Sequence, residues 1–334
     1  MKALVAIRKD KTFDTFFNPE NIKLAESLGE IVWLDTAVAS EEELKEKIKD
    51  CDTYITCWGS PALTPEILKC APKLKLLTHL GSTVAPVVCD EVYERGIKVI
   101  SGFDYFSKST AEGAVAYMLA AMRDIPFYND RLKEKRIWRE IDDYTDSVLY
   151  KKVGLVGYGG VGKYVAKMLS NFDVDMKVSA RREIPEDEKQ LYGFTQCSME
   201  EVFETCDIIS IHLAYNNSTH HMIGDELLSK IKPGALLVNT ARGAVIDEQA
   251  MIKHLEKGHF KAALDVYEQE PINMDNPMLS LPNVLMLPHQ AGVTVNLRAV
   301  LTHDLLKESV DFIDNGIPVK SEIMASKAIS MSKF

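Results

Sequence analysis

Short apolar runs alternate with amphipathic stretches through the first hundred residues. Ala3–Ile7, Glu30–Leu34, Thr53–Cys57, Leu74–Leu80 and Lys98–Ile100 read as short buried strands. Between them, Ser40-Glu41-Glu42-Glu43 is a capping box opening a helix toward Lys49. Thr64-Pro65 caps a second helix with proline in its first turn, and Val87–Arg95 makes a third with Gly96 as its stop. A long helical pattern, Ser109–Arg123, is rich in alanine, and Pro126 is expected to end it. A second alternating series follows. Its strands are expected at Lys177–Ala180, Asp207–His212, Ala235–Asn239, Ala262–Leu264 and Val284–Leu287, with a capping box at Ser198-Met199-Glu200-Glu201. A last helical pattern covers Val295–Ile313. Alternation of this kind predicts an α/β fold with parallel sheets.

With 334 residues, two domains are expected. A hydrophobic fraction of 46% supports sizeable cores, and a net charge of -10 argues against nucleic acid or an anionic membrane as partner. The one basic cluster, Arg131 to Arg136, is interrupted by Glu134 and reads as a solvated helix face. The six cysteines form no C-x-x-C pair and read as buried free thiols in a reducing compartment. No metal-ligand spacing, signal peptide or membrane span stands out, so a cytoplasmic protein is expected.

The strongest local motif runs from Val153 through Gly162. An apolar strand leads into Gly157-Tyr158-Gly159-Gly160-Val161-Gly162, and a helical pattern, Lys163 to Ser170, follows. This order suits a dinucleotide pyrophosphate: Gly157 for the tight turn, Gly159 for backbone approach, Gly162 for helix packing on the strand. Where an NAD-binding fold carries an acid at the end of the next strand, this chain has Arg181-Arg182. An arginine pair attracts a ribose 2′-phosphate that a carboxylate would repel, so NADP(H) is favoured, with NAD(H) left open.

Farther along, Arg242, Glu270 and His289 lie after successive expected strands, at the sheet edge where open parallel sheets bind ligands. Arginine clamps a carboxylate, histidine moves a proton near neutral pH, and a carboxylate beside the histidine orients its ring and favours its protonated form. Other histidines have less support. His220-His221 are adjacent and are not expected to point at one site, whereas His79 lies on a strand that leads into the Gly81-Ser82-Thr83 turn.

Together, Gly157 to Gly162, Asn239-Thr240-Ala241-Arg242-Gly243, Leu264-Asp265-Val266-Tyr267-Glu268-Gln269-Glu270-Pro271 and Pro288-His289 resemble, in order, the D-isomer-specific 2-hydroxyacid dehydrogenases, in particular glyoxylate/hydroxypyruvate reductase-like members. The resemblance implies a Rossmann dinucleotide-binding domain over residues 104–294. It also implies a flavodoxin-like substrate-binding domain over residues 1–103 and 295–334. It implies hydride transfer between a nicotinamide and a small 2-oxo or D-2-hydroxy acid, and a homodimer formed through the Rossmann domains with the Ser109–Arg123 helix at the interface. By resemblance, Arg242 holds the substrate carboxylate, His289 is the acid/base and Glu270 its partner. Asp265 meets the nicotinamide carboxamide. Gly160, Val161, His212, Thr240, Ala241 and Gly292 line the cofactor site, and Gly81, Ser82 and Thr83 line the substrate site. Departures from the family pattern fall at Leu80 to Pro86, where only Gly81 clearly matches, at Ala214-Tyr215, and at Gln290-Ala291. Two other readings stay open: a non-catalytic cofactor-sensing regulator on the same fold, and a phosphite- or formate-type dehydrogenase. Glu270 argues against the formate branch, whose enzymes carry glutamine there.

Overall fold

A computed structural model describes residues 1–329 and 331; residue 330 and residues 332–334 of the expected C-terminal segment lie outside the described residues. The chain forms two compact units, one of residues 1–106 with 293 onward, the other of residues 107–292.

The first unit holds a five-stranded parallel sheet of β1 (Lys2–Ile7), β2 (Glu30–Asp35), β3 (Thr53–Thr56), β4 (Leu76–His79) and β5 (Lys98–Ser101), in the order β2-β1-β3-β4-β5. This is the flavodoxin-like order, with its switch point between β1 and β3. Nearly every residue of β1, β3 and β4 is buried, as expected for strands covered on both faces. The expected caps form: Ser40 and Thr64 side chains accept from the Glu43 and Ile67 N–H groups.

The second unit holds seven parallel strands, β6 (Lys152–Val156), β7 (Asp175–Ser179), β8 (Phe194–Gln196), β9 (Ile208–Ile211), β10 (Leu236–Asn239), β11 (Lys261–Leu264) and β12 (Val284–Met286), ordered β12-β11-β10-β9-β6-β7-β8. All seven run the same way, so their carboxyl ends share one edge. Register aligns Val156 with both Ser179 and Ile211, Ile211 with Asn239, and Asn239 with Leu264. The glycine turn, His212, Arg242 and Asp265 therefore leave the sheet along that edge.

Three expectations are corrected. The long helix spans Phe103–Met122, and Pro126 does not end it: Asp124 takes a left-handed conformation, and Pro126 sits in the first turn of a new helix, Ile125–Glu134. Proline belongs there because the N–H it lacks has no partner in a first turn. Within that helix Arg131 is buried and pairs with Asp143 and Glu140, so the basic cluster is not wholly a solvated face. All six cysteines are free thiols, but Cys70, Cys89 and Cys197 are only partly buried. Among the described residues, no helix is long and apolar enough to cross a membrane, and no group of His, Cys, Asp or Glu is arranged to hold a metal ion.

Candidate active site

The glycine motif takes the geometry its spacing predicts. Gly157 has φ +105°, and a Cβ there would lie 2.7 Å from the His212 carbonyl oxygen. A Cβ on Gly162 would lie 2.2 Å from the Gly157 oxygen, whereas one on Gly159 would meet nothing within 4 Å. Gly157 and Gly162 are thus forced by close backbone approach, and Gly159 leaves an open face. Gly160 and Val161 begin the Gly160–Leu169 helix, whose N-terminus has no side-chain cap. Uncapped helix N–H groups suit a pyrophosphate.

Along the same edge, both ring nitrogens of His212 and the Ser210 and Thr240 hydroxyls are buried without a hydrogen-bond partner among the described residues. Burial holds the His212 imidazole neutral, lowering its pKa to about 3. Buried polar groups without partners are uncommon, and a polar ligand at the strand ends is one way to satisfy those of His212 and Thr240. Ala241 gives its N–H to Asn239 Oδ1 at 3.0 Å, turning the chain between β10 and Arg242. Arg181 and Arg182 are exposed just beyond β7, and the Gly157 N–H donates to the Ser179 oxygen at 2.8 Å, so the arginines leave the sheet beside the glycine turn.

The second cluster holds the reaction candidates. Nδ1 of His289 is 2.6 Å from Glu270 Oε2, and Glu270 Oε1 accepts from the Tyr267 N–H at 3.0 Å. With Nδ1–H donating to the carboxylate, the tautomer is fixed and Nε2 is the nitrogen free to exchange a proton. Arg242 is half-buried; desolvation lowers its pKa and the Glu270 charge opposes that shift. A guanidinium stays charged through such a shift. The loop bearing Arg242 is seated on the loop bearing Glu270 by Gly243, where a Cβ would lie 1.9 Å from the Tyr267 carbonyl carbon. Arg242 and the His289–Glu270 pair therefore belong to one electrostatic neighbourhood.

Asp265 holds this neighbourhood in shape. It is buried, and its Oδ1 accepts from the Gln290 N–H at 2.7 Å and the Tyr117 hydroxyl at 3.2 Å. Its Oδ2 accepts from the Ala291 N–H at 2.9 Å. Burial and the Asp265 charge both push the Tyr117 phenol up, so it remains a donor. Sequence reasoning missed Tyr117, which lies within the alanine-rich helical pattern. It also missed Glu248 and Glu268, each of which accepts from the other's backbone N–H, at 3.0 and 3.1 Å.

His220 and His221 lie in a turn rather than in regular structure: their rings stack at 4.0 Å, His221 adopts φ +48°, and His221 Nε2 lies 2.6 Å from Glu268. In the first unit, the Gly81-Ser82-Thr83 turn follows β4. A Cβ on Gly81 would sit 2.4 Å from His79 Nε2. His79 is buried, with Nδ1 2.9 Å from the Thr56 hydroxyl, and burial lowers its pKa to about 4. It is held below that turn and is not exposed to it.

A doubly wound sheet with a glycine turn at its switch point, and an arginine, a carboxylate and a histidine along the same edge, defines a nicotinamide-dependent oxidoreductase. Residues 115–291 match the sequence model of the family described as D-isomer specific 2-hydroxyacid dehydrogenase, NAD binding domain. The chain is similar to a glyoxylate reductase of Korarchaeum cryptofilum, 32% identical over 318 residues, covering 93% of this chain and 95% of that one. Among solved structures it resembles a glyoxylate reductase from Paecilomyes thermophila, 25% identical with a TM-score of 0.78 over 98% and 99% of the two chains. It also resembles an acyclic imino acid reductase, Bsp5, in complex with NADPH and D-Arg, 25% identical with a TM-score of 0.76 over 97% and 100%. The chain belongs to the D-isomer-specific 2-hydroxyacid dehydrogenase family. It is a dehydrogenase that uses a nicotinamide dinucleotide.

Proposed function

We propose that this enzyme reduces a small 2-oxo acid to the D-2-hydroxy acid with NADPH. The observation that carries the reading is the 2.6 Å His289–Glu270 contact next to a half-buried, charged Arg242. When bound, the nicotinamide supplies the hydride to the carbonyl carbon. Arg242 holds the substrate carboxylate through its fork of N–H donors and polarises the adjacent carbonyl. His289 gives the Nε2 proton to the carbonyl oxygen as it becomes an alkoxide, and Glu270, bonded to Nδ1, stabilises the imidazolium before that transfer and keeps the ring aimed. Asp265 fixes the turn that carries His289 and faces the carboxamide. Gly157, Gly159, Gly160, Val161, Gly162, His212, Thr240, Ala241 and Gly292 form the rest of our proposed cofactor site. Gly81, Ser82 and Thr83 are our proposed further contacts to the substrate. The names of the relatives favour glyoxylate as one member of the substrate class.

Arg181 and Arg182, exposed and carrying no ion pair among the described residues, are our assignment for the 2′-phosphate. The NADPH complex of Bsp5 supports that preference. We further propose a homodimer formed through the second unit, supported by exposed Trp138, Ile141 and Tyr144, whose mass in solution decides it. Turnover of glyoxylate, hydroxypyruvate and pyruvate with each cofactor tests the reading. The expected result is turnover with NADPH, and in R181A/R182A an NADPH KM raised about 10- to 100-fold with the NADH KM little changed. A wild-type preference for NADH would overturn the cofactor assignment, and no turnover of any 2-oxo acid would overturn the substrate class.

A further inference from the structure

The helix Phe103–Met122 presents three residues, four apart, to the turn that carries His289. The Ser109 hydroxyl donates to the Gly292 oxygen at 3.0 Å. At Gly113 a Cβ would lie 2.9 Å from the Ala291 Cβ and 3.0 Å from its Cα, so only glycine lets the helix seat against the turn without displacing it. The Tyr117 hydroxyl donates to Asp265 Oδ1 at 3.2 Å. Residues at this spacing share one helix face.

The turn itself needs holding. His289 adopts φ +54°, a left-handed conformation that side chains bearing a Cβ avoid. Such a residue persists where its surroundings over-determine it. Here the His289 N–H donates to the Asp265 backbone oxygen at 2.9 Å, and the next two N–H groups donate to the Asp265 carboxylate. Asp265 is therefore the hub of the turn, and the hydroxyl of Tyr117 is a side-chain donor to that carboxylate from the helix.

We propose that Tyr117 is a positioning residue for His289, acting through Asp265, with Ser109 and Gly113 seating the same helix face against the turn. The inference rests on the acid/base reading of His289. A phenylalanine at 117 keeps the ring and removes only the donor. Asp265 then loses the bond that fixes its carboxylate from the helix side, and His289 loses its aim without losing its partner Glu270.

The test uses the full chain with glyoxylate and NADPH. Y117F is expected to lower kcat about tenfold, because small misplacements of a reacting group are costly in rate. KM for the acid and the thermal midpoint are expected to stay near wild type, and Kd for NADPH, to which Asp265 is also assigned, is expected to change far less than kcat. G113A, which pushes on Ala291 directly, is expected to lower kcat at least as much. Placed on H289A, Y117F is expected to add no further loss, since both changes act on one proton transfer. Wild-type kcat in Y117F overturns the proposal. So does a kcat loss accompanied by equal losses of NADPH affinity and midpoint, which marks a packing role, and so does an additive loss on H289A. Full turnover in H289A alone overturns the acid/base reading itself, independently of Tyr117.

Discussion

Two stretches of one sheet edge in the second unit are built in opposite ways. Between Ser210 and Thr240, four buried side-chain atoms have no hydrogen-bond partner among the described residues: the Ser210 and Thr240 hydroxyls and both nitrogens of His212. From Asp265 through Gly292, the polar groups of the turn are bonded: Asp265 takes three donors, Glu270 two, and Gly292 one. An unmade bond at a buried group costs about 1–3 kcal/mol. The first stretch thus carries a cost that a bound ligand can offset, and the second carries geometry fixed before anything binds. On the proposed function, receiving and aiming are separate jobs, given to neighbouring strand ends.

The largest break in this contrast falls at the end of the bonded stretch. H289A is expected to lower kcat about 10³-fold, in the range for loss of a general acid, while NADPH binding, for which His289 itself is not a proposed contact, survives. Turnover measured beside fluorescence titration of NADPH separates the two, and joint loss would erase the distinction. G243A attacks the seating of one loop on the other. A Cβ 1.9 Å from a carbonyl carbon forces a shift, so kcat/KM is expected to fall about 10²-fold, with a stability loss of about 1–3 kcal/mol. A G243A enzyme with normal kinetics would show that Arg242 and Glu270 need no common seat.

The smallest effect is on acid stability. His212 and His79 are held neutral by burial, at about 3 and about 4, against an ordinary value of 6.5. Between those values the unfolded chain binds protons that the folded chain refuses. Their contribution is therefore fully present above about pH 6.5 and is lost progressively on acidification. Unfolding midpoints are expected to drop between about pH 7 and pH 5, less steeply in H79N. An equal slope in that variant would remove His79 from the account.

Much of the architecture was readable because its causes are local. The caps at Ser40, Thr64 and Ser198 satisfy N–H groups three residues away, and the Gly157 turn is flanked by its own strand and helix. That a charged or titratable residue follows each of β10, β11 and β12 was equally plain. What stayed hidden depends on distant partners. Tyr117 reads as ordinary helix packing until Asp265, far along the chain, is brought to it. Gly243 shows no special torsion, and only the backbone at Tyr267 explains it. Arg131 sat in a run of lysines and arginines, and its burial follows from Asp143 and Glu140 folding back. The stacking of His220 on His221 came from an unusual torsion that no residue type announces.

Arg242, Glu270, His289 and the helix residues that brace them all fall within residues 107–292. On our reading, the proton chemistry and the carboxylate clamp are thus carried by one contiguous run of the chain, which makes the remaining residues the safer ground for redirecting such an enzyme toward a new acid.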